Sequence, residues 1–190
     1  MKRALDMPVS AFQSVRFFGI IRQRRKTMRT IYPKMLVDSP TVIEISFLAT
    51  HKIDTVFIDV DNTLLAPRER LSSEELKTWI NLIKAQGIRV FLVSNNTSKR
   101  ISDLSRDLDV EGLPRAYKPF VFRIKRFIRK HRVDTSTCCF IGDQLFTDMW
   151  AAYRLGMMGI MVRQISPKDY FYTRWIRKIE QWVLRQGGLR

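Results

Sequence analysis

Strands alternating with helices along most of the 190 residues predict an α/β protein on a doubly wound, Rossmann-like parallel sheet. Three observations carry that reading. Runs such as Val56–Phe57–Ile58 and Val90–Phe91–Leu92–Val93 are short and continuously apolar, as in strands buried on both faces. Stretches of helical spacing separate them. Each run also breaks abruptly into polar residues, where open α/β sheets collect their ligands beyond the carboxyl ends of the strands.

Ahead of the alternation, Phe12, Val15, Phe18 and Ile21 recur at helical spacing, with Arg22, Arg24, Arg25 and Lys26 clustered behind them. Residues 9–26 therefore read as an amphipathic helix, either lying on an anionic membrane surface or packed as an arm on the domain. Pro33 and Pro40 bracket a connection, and Ser39 is placed to cap a short helix over 41–49. The first strand spans 55–60. A helix over 73–86 follows, with Ser72 as cap, Gly87 as stop, and Leu76, Trp79, Ile80 and Ile83 on its buried face. A strand over 89–93 leads into a helix over 98–108, and a weak strand over 114–117 into a helix over 120–131. A strand over 137–141 leads into a helix over 145–155, ended by Gly156, and 159–162 forms the last strand. A helix over 171–185 closes the chain, with Tyr172, Trp175, Ile176, Ile179 and Trp182 on one side. The organisation is a basic segment, 1–33, followed by one domain, 34–190.

The formal net charge of +16 calls for an acidic partner or surface. Residues 1–35 carry nine Lys/Arg against one acid and 163–190 seven against two, so the ends are basic and the middle nearly balanced. No stretch approaches the roughly 20 apolar residues that span a bilayer. An Arg-rich, acid-poor start allows an organelle transit peptide, ranked below a retained basic segment. Cys138 and Cys139 sit side by side in a strand and point to opposite faces, which suits core filling in a reducing compartment. His51 and His131 lie near helix ends, where a cationic ring complements the dipole.

The chemistry gathers at four strand ends. Asp59 and Asp61 follow the first strand, close enough to repel unless a cation is near. The D-x-D-x-T spacing suits a nucleophilic carboxylate, Asp59, with Asp61 trading protons with an attacking or leaving oxygen. A solvated strand-to-loop turn is the alternative reading of this stretch alone. Ser94, Asn95 and Asn96 follow the next strand, just before a helix whose free N–H groups favour a phosphate. Lys118 precedes Pro119 at a helix start and can pair with phosphate and with an aspartate. Gly142, Asp143 and Asp148 follow the fourth run and add carboxylates for a hard metal such as magnesium.

With these four motifs in this order, the sequence resembles the haloacid dehalogenase-like (HAD) phosphatases. DVDNTL, VSNN, KP and GDQLFTD look like the YqeG-type branch, which includes the mitochondrial phosphatidylglycerophosphate phosphatases. The resemblance covers roughly residues 32–186 and leaves the basic start outside. It implies a Mg2+-dependent phosphatase in which Asp59 forms an aspartyl-phosphate and Asp61 is the acid and base. Thr63, Ser94, Asn95 and Lys118 would serve the phosphate. The metal would sit between Asp59, the backbone carbonyl of Asp61, and Asp143, with Asp148 helping.

Between Thr63 and Ser94 there is room for one helix and one strand, and between Ser94 and Lys118 for one helix and a short strand. Neither gap admits an inserted cap domain, so the site should open to a large substrate. The expected substrate is phosphatidylglycerophosphate, the expected partner an anionic phospholipid or membrane surface. The expected location is cytoplasmic, at the inner face of the membrane, with organelle targeting open. A soluble phosphate ester is the alternative. A basic RNA- or ribosome-associated assembly factor on the same fold is the rival from another class, since basic ends also supply non-specific nucleic-acid affinity.

Overall fold

The structure is a computed structural model describing residues 31–166 apart from 67, 68 and 70. The helices expected over 9–26 and 171–185 lie outside the described residues, as does nearly all of the basic segment 1–33.

Among the described residues the strands are β1 (Met35–Val37), β2 (Thr55–Ile58), β3 (Arg89–Val93), β4 (Glu111–Leu113), β5 (Cys138–Gly142) and β6 (Met158–Val162). The helices are α1 (Ile45–Thr50), α2 (Glu74–Ala85), α3 (Ser98–Leu108), α4 (Phe122–Lys130) and α5 (Trp150–Leu155). All pairings are parallel, in the order β1-β6-β5-β2-β3-β4. The fold is thus the Rossmann-like α/β sheet expected. From β2 the chain winds outward through β3 and β4, then returns to β5 on the other side. The switch point therefore lies at β2 and β5, where such sheets place their ligands.

Continuous apolar runs make β2 and β5 buried along their whole length. One face of the sheet packs against α1, α2 and α3 through Leu48, Trp79, Ile80, Ile83, Ile101 and Leu104. The other packs against α4 and α5 through Phe57, Phe91, Phe140, Ile124, Phe127 and Leu155. Trp79 buries its ring and satisfies its indole N–H on the Ile43 carbonyl at 3.1 Å. Cys138 and Cys139 are free and buried, as expected of core fillers. Burial pushes the Cys138 thiol up to about 12, so it is inert packing.

Several boundaries differ from expectation. The connection between Pro33 and Pro40 contains β1, an edge strand of three residues too short to show a period. The helix expected over 41–49 splits: Ser39 caps a 3-10 turn, Pro40–Val42, the chain extends at Ile43 and Glu44, and α1 then begins. Ser73 caps α2, while the expected cap, Ser72, donates its hydroxyl to Asp107 at 2.5 Å. The strand expected over 114–117 lies at Glu111–Leu113 instead, ahead of Pro114, whose ring nitrogen cannot donate to a ladder. The segment from Thr63 to Ser94 adds only α2 and β3 among its described residues, and that from Ser94 to Lys118 only α3 and β4. No helix among the described residues is long and apolar enough to cross a membrane.

Candidate active site

β2 delivers Asp59 to the centre of the carboxyl edge. Its N–H still bonds the Ile141 carbonyl at 2.8 Å, so Asp59 extends the β2–β5 ladder by one residue and is held as firmly as the sheet. The chain then turns: the Leu64 and Leu65 amides return to the Val60 carbonyl at 3.0 and 3.1 Å, with Asn62 left-handed at φ 64°. That turn brings Thr63 Oγ1 to Asp59 Oδ2 at 3.1 Å and to Asp143 Oδ1 at 3.4 Å.

β5 and the residues after it supply the other carboxylates. A π-helical turn, Leu145–Met149, leads into α5 and carries Asp148 back beneath Gly142. The Gln144 amide bonds Asp148 Oδ2 at 3.0 Å. Gly142 is required for this approach: a Cβ there would lie 2.5 Å from the Asp148 side chain. Asp59, Asp143 and Asp148 are all buried, with ligand oxygens within 4.8 Å of one another.

Lys118 is the cation set against them. Its Nζ donates to Asp59 Oδ1, pairs with Asp148 Oδ1 at 2.7 Å and donates to the Val93 carbonyl at 3.2 Å. Two of these contacts, to Asp59 and the Val93 carbonyl, are hydrogen bonds, and the Asp148 contact is a buried ion pair. Asn95 fixes this lysine: it accepts from the Lys118 N–H at 2.7 Å and donates to the Lys118 carbonyl at 3.1 Å. Burial alone would lower the Lys118 ammonium, but Asp148 and Asp59 more than reverse this and hold its pKa above the ordinary value. Burial also pushes the Asp59 carboxyl well up, against the pull of Lys118 and with added repulsion from Asp148 and Asp143. Three carboxylates facing one buried lysine is an excess of negative charge.

Asp61 points elsewhere. Ser94 Oγ donates to its Oδ2 at 3.1 Å, Asn96 Nδ2 lies at 3.5 Å, and Arg100 Nε lies 3.3 Å from its Oδ1. Ser94 is itself aimed by the Asn96 N–H, which it accepts at 2.9 Å. A buried carboxylate–lysine cluster beside a second, half-exposed carboxylate can perform nucleophilic substitution with proton transfer.

The family model described as mitochondrial PGP phosphatase matches residues 17–165. The chain belongs to that family of phosphatases. It is 31% identical over 137 residues to "Probable phosphatase YqeG" of Bacillus subtilis (strain 168), covering 72% of this chain and 80% of that one. NagD from E. coli K-12 shares the fold at a TM-score of 0.50 and 13% identity, over 60% of this chain and 89% of that chain. A hypothetical protein from Xanthomonas campestris aligns at 0.49 and 16% identity, over 61% of this chain and 65% of that chain. The present chain thus spans just under two thirds of the Xanthomonas protein. The motif resemblance to the YqeG-type branch and its phosphatidylglycerophosphate phosphatases is borne out.

For a member of this family, the sequence motifs converge as follows. Asp59, Thr63, Lys118, Asp143 and Asp148 meet in one cluster, and Asp61 with Ser94 forms a second group two residues along the chain. The Asp61 carboxylate is not among the three clustered oxygens; only its backbone carbonyl was assigned to the metal. Asn95 spends its carboxamide on Lys118. Arg100 was missed. It stands in the first turn of α3, where the dipole disfavours a cation, and that misplaced charge was the available signal.

Proposed function

We propose that the chain is a magnesium-dependent phosphomonoesterase acting through an aspartyl-phosphate on Asp59, with phosphatidylglycerophosphate as substrate and phosphatidylglycerol as product. One observation carries the reaction class. A buried carboxylate held by lysine and threonine sits two residues from a half-exposed carboxylate held by serine and arginine.

An Asp59 oxygen attacks phosphorus in line, and the phosphorus–alcohol bond breaks. Asp61 gives its proton to the departing alkoxide, then removes a proton from the water that attacks the same phosphorus. The acyl-phosphate bond breaks, Asp59 is regenerated and inorganic phosphate leaves. Lys118 and Thr63 hold the Asp59 carboxylate in one rotamer throughout. Ser94 and Arg100 orient Asp61, and Asn95 anchors the lysine loop.

The donor set fits a hard divalent cation, because Asp59, Asp143 and Asp148 are all oxygen donors in excess of the one lysine. Those three residues would hold magnesium, which when bound supplies the charge that keeps Asp59 ionised and offsets charge on the phosphoryl oxygens.

The substrate reading is supported by the family description, by the absence of room for a cap in the two motif gaps, and by a charge of +16. A phosphomonoester projecting from an anionic bilayer suits an open, basic protein working at that surface. Either a cytoplasmic or an organelle membrane would supply that surface. The test compares catalytic efficiency on phosphatidylglycerophosphate in mixed micelles with that on glycerol phosphate and sugar phosphates. The lipid should win by orders of magnitude, with salt narrowing its lead. Equal turnover of a soluble ester would remove the lipid assignment, and no phosphate release from any ester with magnesium would remove the reaction class.

A further inference from the structure

We infer that the mouth of this site carries its own docking face for an anionic bilayer, formed by the N-terminal ends of α4 and α5 and continued along the exposed side of α4. This surface deepens the lipid-phosphatase reading above and rests on it for its purpose.

The placement follows from the topology. α4 and α5 pack on the same face of the sheet. A helix joining parallel strands runs back along the sheet, so its N-terminus lies at the edge where the strands end. That is the edge bearing Asp59 and Asp143.

Large aromatic side chains are left outside there: Phe120 is 62% exposed, Phe122 61%, Tyr117 46%, Trp150 42% and Tyr153 39%. Two contacts tie the helix ends together. Tyr117 stacks on Phe122 with centroids 6.1 Å apart, and Arg154 Nη1 of α5 reaches the Pro119 carbonyl at 3.3 Å. Tyr117 and Pro119 flank Lys118, whose ammonium is on Asp59, so the patch adjoins the reacting carboxylate. The other exposed large aliphatics, such as Leu71 and Leu82, belong to neither helix end. Exposed aromatics gathered at one sheet edge beside basic side chains mark an interaction surface, and Trp and Tyr suit the boundary of a bilayer.

Charge complementarity selects the partner. Residues 113–133 hold eight Lys/Arg and no acid. α4 turns Ile124, Phe127 and Ile128 inward and leaves Lys125, Arg126 and Arg129 exposed. The rest of 36–162 is net acidic, so the balance of the middle region conceals a segregated basic face. Apolar insertion together with a basic surface is the two-signal combination that stable peripheral binding needs.

The experiment uses the full chain with phosphatidylcholine vesicles, with and without phosphatidylglycerol, read by co-sedimentation. Two double variants are compared, Phe120→Ser/Phe122→Ser and Arg126→Glu/Arg129→Glu, with circular-dichroism melts as the folding control. The wild type should favour anionic vesicles, and each variant should bind them about tenfold more weakly while hydrolysing p-nitrophenyl phosphate normally. If the phenylalanine pair unfolds the protein, the exposed arginine pair decides alone. Undiminished vesicle binding in the folded variants would overturn the inference, since other basic segments would then carry it. So would equal binding to neutral vesicles, or loss of binding to an RNA oligonucleotide in place of vesicles. Weakened vesicle binding in a protein that hydrolyses no ester would leave the docking face standing and remove the phosphatase reading.

Discussion

Asp59 and Asp61 are the same residue type two positions apart, yet the fold gives them opposite surroundings. The Asp59 side chain is 7% exposed and faces lysine, threonine and two further carboxylates; that of Asp61 is 30% exposed and faces serine, asparagine and arginine. The strand accounts for the first and the turn for the second. Asp59 continues the β2 ladder into the closed edge, whereas Asp61 lies in the turn after Val60 and meets the loop that follows β3. Environment thus gives two chemically identical groups different surroundings, which suits the proposed division into nucleophile and proton carrier.

Replacing the buried partner should have the largest effect. Asp59→Asn should lower turnover by about ten-thousandfold or more in steady-state assays, with the melt retained. Asp61→Asn should cost about a hundred- to ten-thousandfold, and single-turnover kinetics should show slow formation of a phosphorylated enzyme. If the two variants gave identical kinetics with no phosphorylated species, the division of roles would be wrong. Asp143→Asn should separate charge from chemistry. Relieving the carboxylate excess should stabilise the metal-free protein by on the order of 1 kcal/mol in denaturant titrations, while the melting shift produced by magnesium disappears. Arg100→Ala should be mildest, about tenfold in kcat/KM with the melt retained, because Asp61 loses one of the side chains that orient it. An unchanged kcat/KM would show that Ser94 orients Asp61 without Arg100.

The strand ends were legible because each motif joins an apolar run to a polar break, and the run fixes which edge the polar residues reach. Asp59, Lys118, Asp143 and Asp148 come together for that reason, although up to 89 positions separate them in the sequence. What stayed hidden depends on geometry without a period. β1 is three residues long, the π-helical turn that returns Asp148 has no composition signal, and the Asn95 clamp on Lys118 is backbone recognition across 23 positions. The basic face was concealed differently: averaging charge over 36–162 cancelled α4 and its flanks against acids elsewhere in the domain.

The central claim is a covalent bond at Asp59, and one measurement reaches it directly. The Asp61→Asn protein is mixed with substrate and magnesium, quenched rapidly in acid, digested and analysed by mass spectrometry. A phosphoryl group should be found on the peptide containing Asp59, absent from the Asp59→Asn/Asp61→Asn double variant and discharged by hydroxylamine as an acyl phosphate. Product formation by Asp61→Asn with no phosphorylated Asp59 at any quench time would contradict the account, because water would then have attacked phosphorus directly.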